Sequence, residues 1–121
     1  MLPAIAKADL KREVSTTERC SILAIWNSPA EQEMSIARAR VEPGVTTQRH
    51  ALEGVTERYI IAEGRGRMEV GELPLAEVGP GDVVFVPAGV PQRITNSGSG
   101  DLVFYCVCTP RFSPECYRAL E

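Results

Sequence analysis

Glycine and proline decide what this chain can fold into. Ten glycines and nine prolines are scattered through 121 residues, with no cluster that would mark a linker. Each of them raises the cost of continuing a helix. What lies between them is short and either alternates in polarity or is β-branched. That composition predicts strands at Arg19–Trp26, Met34–Glu42, Thr46–His50, Arg58–Ala62, Arg67–Val70, Val83–Val86, Gln92–Thr95 and Asp101–Cys108. Turn chemistry separates them at Asn27-Ser28-Pro29, Pro43-Gly44, Gly64, Gly71, Gly79-Pro80-Gly81, Pro87-Ala88-Gly89 and Asn96-Ser97-Gly98. Roughly eight strands at spacings of about ten residues describe an all-β sandwich or barrel. Glu31–Arg38 contains helix-favouring residues, but Ser35 to Val41 alternates with period two and is read as strand. The one helical candidate is Pro114–Leu120, which opens on proline and carries Glu115 in its first turn, where the helix dipole favours a negative charge.

Charge and cysteine usage narrow the functional classes. Thirteen basic and sixteen acidic residues give a net charge of −3, the wrong sign for binding phosphate backbones, so nucleic acid is not expected as a partner. No run of apolar residues is long enough to span a membrane. Met1 to Glu13 is charged at Lys7, Asp9, Lys11, Arg12 and Glu13 and lacks an apolar signal core, which places the chain in the cytoplasm as an expectation. Cys106 and Cys108 lie two apart in an apolar run. Neighbours at that spacing on a strand point the same way and cannot be bridged. With Cys20 and Cys116 they are read as reduced, packed thiols acting as small hydrophobes.

Two segments carry a recurrent spacing. The first runs Gly44, five residues, His50, one residue, Leu52, four residues, Glu57, six residues, Gly64; the second runs Gly81, five residues, Pro87, one residue, Gly89, two residues, Gln92, three residues, Asn96. This resembles the paired signature motifs of the cupin superfamily, over residues 44–64 and 81–96 of one domain spanning 1–121. The resemblance implies an antiparallel jelly-roll β-barrel with a pocket in its mouth. Independently, strand periodicity puts His50 with Leu52 on one face, Glu57 with Tyr59 and Ile61 on another, and Gln92 with Ile94 and Asn96 on a third. If those faces point inward, three polar groups converge in an apolar barrel that would take a small-molecule ligand.

The pattern is degenerate at the place where chemistry would reside. The family's metal-dependent members use three histidines and one glutamate. Here Leu52 stands at the second histidine position, Gln92 at the third, and His50 is the sole histidine of the chain. Three readings follow. His50, Glu57 and Gln92 could hold a divalent ion (Mn²⁺, Fe²⁺ or Zn²⁺) in a reduced, open site. Without metal, His50 and Glu57 could act as an acid–base pair for isomerase- or cyclase-type chemistry on a carbonyl compound, with Tyr59 as a donor. The same groups could instead form a polar cluster in a non-catalytic binding module. Eleven of the thirteen basic residues are arginine; by alternation Arg49, Arg58 and Arg93 face away from the pocket and read as solvated or subunit-contacting side chains. The resemblance also implies a homodimer, a common way to cover an open strand edge.

Overall fold

A computed structural model describes all residues, Met1 to Glu121. Eleven strands follow in chain order: β1 (Val14–Ser15), β2 (Ser21–Trp26), β3 (Ser35–Val41), β4 (His50–Leu52), β5 (Thr56–Glu63), β6 (Gly66–Val70), β7 (Ala76–Val78), β8 (Val83–Val86), β9 (Gln92–Asn96), β10 (Leu102–Thr109) and β11 (Tyr117–Ala119). One sheet has the order β1-β2-β3-β10-β5-β8 and the other β11-β4-β9-β6-β7. Every pairing is antiparallel. The non-sequential neighbours β3-β10-β5 and β4-β9-β6 are the crossovers of a jelly roll, as the all-β reading expects.

The sheets close over a core of Ala39, Val41, Tyr59, Ile61, Met68, Val78, Val84, Val86, Ile94, Leu102 and Phe104. These residues occur at every second position of β3, β5, β8 and β9, so the period-two pattern converts directly into one buried face per strand. The opposite faces carry the arginines. Arg93 donates to Glu69 at 2.7 Å, while Arg58 donates to Thr109 at 2.8 Å and stacks over the Phe85 ring. Gly64, between β5 and β6, has φ +83°, and a Cβ there would lie 2.5 Å from the Asp101 carbonyl oxygen. Only glycine fits that turn.

Three segments differ from the sequence reading. Pro114–Leu120 is not a helix: one 3-10 turn at Pro114–Cys116 leads into β11, which pairs Tyr117 with Leu52 and Ala119 with His50. A free edge on β4 outcompetes a helix too short to be stable alone. The strand expected at Thr46–His50 begins where it was expected to end, at His50, with Thr46 making only an isolated bridge to Thr95. Two short strands, β1 and β7, lie on edges where the sequence showed no alternation.

Candidate functional site

The inward faces change character along their length. At one end of the barrel Val41, Ile61, Ile94 and Leu102 pack to near-zero exposure. Towards the other end the same faces shrink or turn polar, as Ala37 and Ser35 on β3, Glu57 on β5, and Cys106 and Cys108 on β10. Smaller side chains at one end leave a void. It is a cavity of about 330 Å³, within the range of small-molecule sites, and 13 of its 20 lining residues are hydrophobic. The chain segment after β10 folds over the opening and contributes Phe112, Pro114 and Tyr117 to its wall.

His50, Glu57 and Tyr59 all reach the cavity. His50 is held on two sides. Its Nδ1 lies 2.9 Å from the Gln48 carbonyl oxygen, and its ring stacks on Tyr117 with centroids 4.7 Å apart and planes 17° apart. A carbonyl only accepts, so Nδ1 carries a hydrogen, and in the neutral ring the lone pair is on Nε2. The Tyr117 hydroxyl donates to Gln48 Oε1 at 2.6 Å, so Gln48 anchors both stacked rings. Tyr117 is a site residue that spacing could not reveal, because it arrives 67 positions after His50 and only through the β4–β11 pairing.

Glu57 is 7% exposed, and its Oε1 has no hydrogen-bond partner. Burial pushes its carboxyl above the usual carboxylate range, while the charge of His50 and the neighbouring Cys106 and Gln92 side chains pull part of the way back. Burial therefore biases Glu57 toward its protonated form, which can donate a hydrogen. Tyr59 stacks on Phe104, and its hydroxyl donates to Gln92 Oε1 at 2.5 Å. Burial, then the nearby Glu57, raise the Tyr59 phenol far above its ordinary range. The Tyr59 side chain lines the cavity with its hydroxyl proton directed to Gln92.

Gln92 sits opposite His50 in the β4–β9 ladder and is 1% exposed, so the structure does bring it to its two expected partners. It does not reach the cavity surface. Its amide oxygen is occupied by Tyr59, and its Nε2 is buried without an acceptor. The atom a metal would need already accepts one hydrogen bond and lies off the cavity surface, and the atom left over is a donor that cannot ligate. With Leu52 apolar in the wall, the family positions that can still ligate an ion reduce to the His50 imidazole and the Glu57 carboxyl. No three His, Cys, Asp or Glu side chains are grouped to hold one. The residues present therefore do not fit the family's metal centre. All four cysteines are free thiols; Cys20, Cys106 and Cys108 line the cavity, and burial raises all three, Cys20 to about 11, which keeps them protonated and inert.

Comparison with known proteins agrees with this architecture. The cupin domain model matches residues 37–108. The Methanocaldococcus jannaschii protein MJ1618 is 35% identical over 89 residues, which cover 74% of this chain and 70% of that one. Among solved structures, TT1209 of Thermus thermophilus is 28% identical with a TM-score of 0.72, spanning 89% of this chain and 100% of that chain. A Thermotoga maritima protein described as a predicted oxalate decarboxylase is 27% identical with a TM-score of 0.68, over 75% of this chain and 80% of that one. The arrangement of strands, the spacing of the two motifs and these likenesses together make the chain a member of the cupin family.

Proposed function

We propose that this cupin binds a small organic molecule in the cavity and acts on it through His50 and Glu57, without a bound metal. The observation that carries the reading is the poverty of ligands: Leu52 is apolar, Gln92 Oε1 is hydrogen-bonded to Tyr59, and no three His, Cys, Asp or Glu side chains are grouped to hold an ion. The chemistry suited to the pair is proton transfer on a carbonyl compound. Glu57, held neutral by burial, donates its proton to a ligand oxygen, and the free Nε2 of His50 accepts a proton from the adjacent carbon. Delivery of the proton held by His50 to another carbon, as the oxygen returns its proton to Glu57, isomerises the molecule and restores both side chains. The family likeness alone does not select this reaction, since one fold hosts many. No helix is long and apolar enough to cross a membrane, in keeping with action on a small solute in the cytoplasm.

One observation favours a second reading. The orphaned Glu57 Oε1 is a buried acceptor in need of a partner, and an ion held by His50 and Glu57, with waters completing its shell, would supply one. Metal analysis separates the two. Protein prepared without chelator, loaded in turn with Mn²⁺, Fe²⁺ and Zn²⁺ and then dialysed, is expected to retain less than about a tenth of an equivalent. Retention of a full equivalent, lost in Glu57→Gln, would overturn the metal-free reading. For any substrate found, His50→Ala and Glu57→Gln are each expected to abolish turnover. Binding with no chemical change in the wild type would leave a binding module in place of an enzyme.

A further inference from the structure

The cavity wall is one-sided in charge. It contains two carboxyl side chains, Glu18 and Glu57, and one imidazole, yet no lysine or arginine, in a chain with thirteen basic residues. The arginines of the flanking strands are spent elsewhere. Arg38 and Arg40 pair with Glu13, Arg93 with Glu69, and Arg58 with Thr109. Arg111 comes nearest, through its 2.7 Å hydrogen bond to Asn27 Oδ1, but Asn27 and not Arg111 faces the void. Most of the remaining wall is apolar, with Ile22, Ile36, Leu52, Phe104 and Phe112 among its members.

We infer that the ligand of this cavity is uncharged: a compact, largely apolar molecule with one carbonyl or hydroxyl oxygen, and neither an acid nor a phosphate ester. A carboxylate or phosphate brought here would exchange its hydration for apolar carbon and for a carboxylate at Glu18, with no guanidinium or ammonium to receive it. A cation would leave water for a wall whose single half-exposed carboxylate lies at Glu18. An uncharged oxygen has neither cost and finds two hydrogen-bonding groups, the Glu57 carboxyl and His50 Nε2. The inference rests on reading the cavity as the ligand site. It makes this barrel chemically unlike one built for oxalate, the dianion named in the likeness from Thermotoga maritima.

Three probes of one size test it: benzamide, benzylamine and benzoate, uncharged, cationic and anionic at neutral pH. Binding is followed through the backbone amide resonances of Ala37, Tyr59 and Cys106. Benzamide is expected to bind at least about tenfold more tightly than either charged probe. Glu18→Lys, which puts an ammonium in a wall that has no basic side chain, is expected to raise benzoate affinity by about tenfold. Benzoate or benzylamine binding the wild type as tightly as benzamide would overturn the charge preference and leave the cavity as the ligand site. Failure of all three probes to move those resonances would overturn the cavity reading and this inference with it. Retention of a metal ion, by contrast, would sink only the metal-free chemistry.

Discussion

Strand β9 carries two carboxamides, one at each end, and each is 1% exposed. Asn96, at the closed end, donates through Nδ2 to the Val41 and Gly100 carbonyl oxygens, both at 2.8 Å, and accepts from the Gly98 amide at 2.9 Å. Every polar atom is satisfied. Gln92, four residues away beside the cavity, accepts one hydrogen bond from Tyr59 and leaves its Nε2 with none, next to a Glu57 whose Oε1 also has none. The same functional group on the same strand is thus complete in one place and incomplete in the other. Folding leaves few buried polar groups unpaired because each costs free energy. Where two gather beside a void, they mark the end of the barrel shaped for something other than its own stability.

The difference between the two ends can be pushed furthest by restoring what the cavity end lacks. Leu52→His together with Gln92→His places two more imidazoles around His50 and Glu57, and metal analysis after dialysis is expected to move from essentially none to about one equivalent. If the double variant folds and still excludes Mn²⁺ and Zn²⁺, the side chains are not what keeps the wild type metal-free. Removing the complete group comes next in size. Asn96→Ala strands the Val41 and Gly100 carbonyls and the Gly98 amide, and chemical denaturation is expected to show a loss of about 2–4 kcal/mol. A loss below ~1 kcal/mol would erase the contrast with Gln92.

Glu57 gives an effect of smaller size and opposite sign. Its folded-state titration is raised, so between the usual carboxylate range and that raised value the folded protein holds a proton the unfolded chain has released. Stability contributed by the neutral form is therefore complete at low pH and declines as pH rises. Glu57→Gln is expected to match the wild type in stability at low pH and to exceed it at alkaline pH, as measured by chemical denaturation. A gain that is equal at both pH values would contradict the burial argument. The smallest change is expected when both partners of the incomplete pair are removed. Tyr59→Phe with Gln92→Leu deletes a hydrogen bond, an orphaned donor and two buried polar groups at once, and stability should stay within about 1 kcal/mol of wild type.

The sequence made β3, β5, β8 and β9 legible because each buries alternate residues, and β10 because it is a continuous apolar run buried at three successive positions. It misplaced β4 and misread β11 because neither is held by its own pattern. His50–Leu52 is buried throughout, and Tyr117–Ala119 is strand only because β4 offers it an edge. His50 and Glu57 were legible from the fixed spacing around the turn glycines. Their surroundings were not. Glu18, Phe112 and Tyr117 reach the cavity from both ends of the chain, through tertiary contacts that no local spacing encodes. Nor could the sequence say that Gln92 would turn its one amide oxygen to Tyr59 and leave its one amide nitrogen unpaired.

The chain has one histidine, so a protein labelled with ¹⁵N in histidine alone reports a single ring. The account predicts that His50 shows the Nδ1–H tautomer with an unprotonated Nε2 at alkaline pH. It further predicts that the Nε2 resonance shifts on adding benzamide and is untouched by an equivalent of Zn²⁺. A stoichiometric shift of Nε2 with Zn²⁺, or hydrogen on Nε2 with Nδ1 free, would contradict it.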